Sequence, residues 1–248
     1  MGGQPKLSWM CGRYFATTPP DEIRRTFATQ NDTPNWQPTW NMAPSQDGPV
    51  VRRHPETGAR QLDLLRWGLL PHWARGDPKK VRQPINARAE TVAALPTFRD
   101  AFARRRCIVP IDGFYEWQVG VGGKQPHAIA RADGRIMALA GIWEGWRGPD
   151  GGIVRTYAVV TTTAADALGH LHERMPVILE EADWAAWLGE SPGDPAALLR
   201  PSAAALRVWP VSSRVNSVRN NGPELIEPLA PAHTEVAATP AGVGTLPQ

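Results

Sequence analysis

The chain has 248 residues, 42% of them hydrophobic and 21% charged, which is long enough to bury a core without staples and has the balance of a globular protein. No run of 18 or more apolar residues occurs, so a membrane-spanning helix is excluded, and two cysteines, Cys11 and Cys107, give neither a disulfide framework nor zinc-ligand spacing. The net charge of +3 is uneven, because Arg60 to Arg106 holds eleven lysines and arginines against four acids, +7, and leaves −4 for the rest. Such asymmetry fits a face that meets a polyanion, although the stretch "FARRR" would serve equally well as a solvated helix face.

The opening "MGGQPKLSW" has no apolar or arginine-rich amphipathic pattern and reads as no targeting signal. Met10 and Cys11 follow. An internal cysteine offers only a thiol, and Cys11 then reads as a small residue opening a strand. As the first residue of a trimmed chain it would carry an α-amine of pKa about 7.7–8.0 beside a thiol of about 8.5. The amine adds to an aldehyde to give a Schiff base, and the thiol closes a five-membered thiazolidine.

"TPPDEIRRTF" predicts a helix capped by Thr18, with prolines in the first turn and Ile23 and Phe27 on one face. Short β-type runs then dominate: "GPVVRR", "RQLDLLRWGLL", "CIVPIDGFYEW", "HAIARADGRIMALAGIWEG", "VRTYAVVTT" and "LRVWPVS". Trp67, Trp73 and Trp117 stand beside Gly, Pro or charged residues, where an indole can be core or a platform on which a base stacks.

In "PINARAET", Asn86, Arg88 and Glu90 alternate and would face one way in an extended segment, either as a solvated edge or as an orienting amide beside a phosphate-holding cation. "PTFRDAFARRR" pairs Phe98 with Phe102 on a helix. Glu116, flanked by Tyr115 and Trp117, is a proton-transfer candidate or a salt-bridged structural carboxylate. The Asp-Gly at 133–134 predicts a hairpin turn. "HLHERMPVIL" brings His172, able to shuttle protons, and Arg174, able to bind phosphate. His170 and His172 lack a third ligand, so no metal is expected. "EEADWAAWL" puts Trp184, Trp187 and Leu188 on one apolar stripe, and 230–248, rich in small residues and proline, reads as a disordered tail. With no repeat and no long linker, one domain is expected, over 10–229.

Together "MCGRY", "WNMAPSQ", "RWGLLPHW", "INARAET", "CIVPIDGFYEW", "HERMPVIL" and "VSSRVNSVRNNGPELIEP" resemble, in order and spacing, the SOS-response-associated peptidase (SRAP) family, the abasic-site processing proteins, over Met10 to Pro228. The resemblance implies an α+β, mainly β, single domain with a curved, barrel-like antiparallel sheet and short flanking helices. It implies capture of abasic sites in single-stranded DNA as a thiazolidine; a cytoplasmic monomer without cofactor, associated with the nucleoid during repair, is expected. Carried over by motif, Cys11 forms the adduct, Asn86 positions cysteine and sugar, Glu116 transfers protons for the Schiff base, and His172 opens the sugar ring and reverses the linkage. Arg13, Arg88 and Arg174 correspond to residues on the DNA backbone, and Trp67 and Pro44 to the surface near the flanking bases. Residues 1–9 stand ahead of the Met-Cys at which family members begin. They are expected to be absent from the mature chain, through a later start or cleavage, because an amide nitrogen on Cys11 would be inert. Two other readings use the same residues: a thiol peptidase working through Cys11, His172 and Glu116, and a non-catalytic module that reads single-stranded DNA.

Overall fold

The computed structural model describes residues 12–120, 123–165 and 168–229. In chain order the elements are β1 (Tyr14–Ala16), α1 (Pro20–Phe27), β2 (Thr39–Met42), β3 (Asp47–Arg53), β4 (Arg60–Trp67), β5 (Asn86–Arg88), α2 (Arg99–Arg104), β6 (Arg106–Ile111), β7 (Gly113–Gly120), β8 (Gly123–Arg131), β9 (Met137–Arg147), β10 (Ile153–Thr163), β11 (Arg174–Pro176), β12 (Ile178–Leu179), α3 (Trp184–Leu188) and β13 (Leu206–Pro210). The expected mainly β domain with short helices is what forms. Strands β10, β4, β3, β6 and β9 close into a five-stranded barrel, since β9 also pairs with β10. The barrel is not wholly antiparallel: β4 runs parallel to β10 through Arg66↔Thr156 and Trp67↔Tyr157. Beside it lies an open sheet in the order β13, β8, β7, β1, β2.

Strand periodicity explains how the two layers adhere. Along β6, Cys107, Val109 and Ile111 join one core with Tyr14, Phe114 and Ile129 of the open sheet, whereas Ile108 joins a second core under the helices. Both faces are covered, so the strand reads as an unbroken apolar run. The helix stripes are core as expected: Ile23 and Phe27 of α1, Phe102 of α2 with Phe98 just before it, and Trp184, Trp187 and Leu188 of α3. Among the described residues no helix is long and apolar enough to cross a membrane.

The chain changes layer at Asp112 and Gly113. Gly113 pairs with Phe15 on β1 and Ala130 on β8, and a Cβ there would sit 2.2 Å from Phe15 Cζ and 2.4 Å from the Ile129 carbonyl oxygen. Only glycine allows so close an approach. The Asp112 carboxylate accepts from the backbone N–H and hydroxyl of both Thr17 and Thr18, fixing the exit from β1. This corrects the expected helix cap. Thr18 bonds Asp112, and the residue at the cap of α1 is Pro19, which supplies no side-chain hydrogen bond. The expected 132–134 hairpin is also corrected. Gly134 has φ +70° and closes a turn onto the Arg131 carbonyl, but β8 and β9 on either side belong to different sheets and do not pair.

Candidate functional site

A cavity of about 410 Å³ opens between the open sheet and the end of the barrel, and Gly12, Arg13, Pro44, Glu116, Trp117 and His172 are among the residues that line it. The open sheet supplies the first five. Tyr14 of β1 pairs with Phe114 of β7, and the Tyr115 N–H donates to the Arg13 carbonyl at 3.0 Å, so the segment at Gly12 is laid alongside Glu116. Glu116, 4% exposed, stands opposite His127 of β8, whose pKa is lowered chiefly by burial. Pro44 follows β2, the strand next to β1.

His172 arrives from the barrel. The last residues of β10 pair with β5 along one edge (Thr161↔Arg88) and β11 along the other (Thr161↔Pro176). Ile85, just before β5, and His172, just before β11, both line the first cavity. His172 Nδ1 accepts the Arg174 N–H at 3.1 Å, so the neutral ring carries its proton on Nε2. Burial holds its pKa below the usual histidine value. Cys11 lies outside the described residues, and its neighbour in sequence, Gly12, lines this cavity.

A second cavity of about 550 Å³ includes Trp73, Arg82, Pro84, Asn86, Arg88 and Leu95 in its wall. Pro84 and Asn86 face it while Ile85 between them faces the first cavity, so this short segment is the partition between the two. Asn86 and Arg88 share a side of β5 as expected. Glu90 lies beyond the strand, where it receives both terminal nitrogens of Arg174 at 2.8 Å and is held below the usual carboxylate pKa by them.

Several expected DNA contacts are differently employed. Trp67 is 1% exposed, packs against Tyr14 and Tyr157 at centroid distances of 5.0 and 6.3 Å, and donates its indole N–H to the Ile85 carbonyl at 3.0 Å. It cannot meet a base. It anchors the partition from within, and Trp73, 47% exposed, is the tryptophan that faces solvent at the second cavity. Arg174 adds the Thr161 carbonyl to Glu90. Arg13 donates from Nη1 to Asn41 Oδ1 at 2.9 Å and the Val215 carbonyl at 2.7 Å, and from Nη2 to the Asn216 carbonyl at 3.2 Å. Within the basic segment, Arg60 clasps Glu190, Arg105 binds Glu144, and Arg106 binds carbonyls of Phe102, Ala103 and Trp187. The segment's exposed arginines in the second cavity wall are Arg82 and Arg88.

Sequence reasoning missed Asn41 of "WNMAP". Its buried amide nitrogen donates to the carbonyls of Val215, Ser217 and Asn220, and its oxygen accepts from Arg13, so it secures the loop that brings Asn216 to the first cavity. Asn216 Oδ1 in turn accepts the Trp117 indole N–H at 2.7 Å. Lys124 in the same wall was also missed.

Comparison with known proteins agrees with this architecture. Residues 10–218 match the family described as SOS response associated peptidase (SRAP). The chain is 38% identical over 225 residues to abasic site processing protein YoqW of Bacillus subtilis, spanning 88% of this chain and 99% of that one. It is 32% identical over 263 residues to abasic site processing protein HMCES of Gallus gallus, spanning 89% of this chain and 78% of that one. A solved structure from Bacteroides thetaiotaomicron, 22% identical, shares the fold with a TM-score of 0.79 over 89% of this chain and all of that one. Another from Bordetella bronchiseptica, 30% identical, gives 0.69 over 82% of this chain and all of its own. The motif order, the barrel with its open sheet and these matches agree: the chain belongs to the SOS response associated peptidase (SRAP) family.

Proposed function

We propose that the protein captures abasic sites in single-stranded DNA, as an enzyme that links the ring-opened sugar covalently to Cys11 when that residue is the first of the chain. The observation that carries the reading is the meeting of Glu116, His172 and Gly12 around one cavity, with Gly12 one peptide bond from Cys11. The names of the relatives, abasic site processing proteins, point to the same lesion.

The chemistry balances with these groups. A neutral imidazole at His172 relays the proton from the C1′ hydroxyl of the closed sugar to its ring oxygen, freeing the aldehyde. The Glu116 carboxylate takes the proton from the α-ammonium of Cys11, and the amine adds to the aldehyde carbon. The same carboxyl returns the proton as the resulting hydroxyl leaves as water, giving the Schiff base. The thiol sulfur then bonds to that carbon while its proton passes to nitrogen. Aldehyde, amine and thiol become a thiazolidine and one water. Asn86 orients the sugar from the partition, Arg88 holds a phosphate, and Trp73 stacks a neighbouring base. Arg13 and Arg174, through their bonds to the Asn216 loop and to Glu90, shape the wall around Pro44 and His172.

A chain that begins at Cys11 is expected to form a heat-stable adduct with a single-stranded oligonucleotide bearing one abasic site, visible as a shifted band on a denaturing gel. The same oligonucleotide without the lesion is expected to give none. The full chain with residues 1–10 shown intact by mass spectrometry is expected to give none either. Equal adduct from Cys11→Ser, or from the full chain with residues 1–10 intact, overturns the assignment.

A further inference from the structure

The cations in the first cavity, Arg13 and Lys124, and Arg174 two residues beyond its His172, are not equivalent. Arg13 and Arg174 point their guanidinium groups at protein acceptors, Asn41, Val215 and Asn216 for one and Glu90 and Thr161 for the other. Lys124 lines the same cavity, is exposed, and makes no side-chain hydrogen bond or ion pair among the described residues. It sits near the outer end of the β7–β8 hairpin, directly opposite Val119, a cavity-lining valine that is 77% exposed. Arg82 and Arg88 lie in the other cavity, across the partition at 84–86. A single strand whose lesion occupies the first cavity therefore meets Lys124 within that cavity and, where it crosses the partition, Arg82 and Arg88.

We infer that Lys124 binds the DNA phosphate on the side of the captured sugar away from Arg88, with Val119 against the adjoining sugar, so that the strand is held on both sides of the lesion. This rests on the reading of the site as one for single-stranded DNA. A lysine ammonium is a compact, mobile point charge, suited to a phosphate whose position changes as the abasic sugar opens. Its neutralisation releases a counterion, which gives the contact its own signature.

The test is fluorescence anisotropy of the full chain with a labelled, undamaged oligothymidylate between about 50 and 200 mM NaCl, a binding measurement that needs no reaction at Cys11. Lys124→Ala is expected to weaken binding about three- to tenfold and to reduce the slope of log affinity against log salt by about 0.7. Lys124→Arg is expected to retain the slope, and Arg135→Ala, which removes an exposed charge lining neither cavity, to leave both quantities unchanged. Unchanged slope and affinity in Lys124→Ala, with an unchanged melting temperature, overturns the inference and leaves the capture reading standing. An equal loss in Arg135→Ala also overturns it. A wild-type chain that does not bind the oligonucleotide overturns both.

Discussion

The two cavities on either side of the partition are built on opposite plans. In the first, most polar groups are held by the protein: His172 by the Arg174 N–H, Arg13 by Asn41 and two carbonyls, Trp117 by Asn216, with Glu116 only 4% exposed. In the second, Trp73 is 47% exposed, and Arg82 and Arg88 reach into solvent. Fixed groups are what a reaction needs, since misplacement by an ångström costs rate, whereas a strand of any sequence is held well enough by mobile cations and an open aromatic face. On the proposed reading, bond making belongs to the first cavity and grip to the second, and each substitution below is chosen to change one without the other.

Glu116→Gln is expected to have the largest effect. It keeps the shape of the side chain and removes the group proposed to accept and return a proton, so adduct formation at saturating DNA is expected to slow on the order of 10²-fold. Affinity for undamaged single strands, measured by anisotropy, is expected to be unchanged or slightly tighter because a negative charge is lost. A rate within twofold of wild type would break the division between the two cavities.

Trp73→Ala is expected to show the reverse pattern. Loss of one stacking face weakens single-strand binding by about 1–3 kcal/mol, while the adduct rate at saturating DNA stays within about twofold. Trp67→Phe serves as the matched control. Trp67 is buried, so its substitution is expected to lower the melting temperature and to leave affinity per folded molecule unchanged.

The difference between those tryptophans shows what the sequence could reveal. Trp67 falls two residues after Leu65 on β4, and both belong to the core shared with the open sheet. The period-two pattern thus marks it as inward-facing, whereas its place in the motif "RWGLLPHW", between Arg66 and Gly68, and the family resemblance suggested the surface. Motif order proposed Glu116, His172 and Asn86 as one set; the first two line one cavity and Asn86 the next, while the helix stripes were legible from spacing. The engagement of Arg13 was not legible, because its acceptor at Val215 is 202 residues away. The turn at 132–134 was recognised from Asp-Gly chemistry. Which sheets its flanking strands join is decided by distant partners, β13 and β7 for one, β6, β10 and β12 for the other.

The smallest expected effect separates the cavities by their protons. His172 in the first has a pKa below that of an unfolded histidine, about 6.5, because burial disfavours the charged ring, whereas the second cavity has no histidine or carboxylate among its described lining residues. As pH falls through about 6.5 the unfolded chain binds a proton before the folded one does. Stability is therefore full above that point and declines below it, toward the lower folded pKa. Protonation at Nδ1 would also set two donors against each other where the Arg174 N–H now points. Replacing the ring by His172→Gln removes this contribution, although His127, lowered in the same direction, retains its own. Melting temperatures compared at pH 7.5 and pH 5.5 are thus expected to fall less in His172→Gln than in wild type, with Arg88→Ala following wild type. An equal fall in His172→Gln and wild type would mean that the ring does not titrate differently on folding, and the first cavity would lose its distinction as the site where protons are controlled.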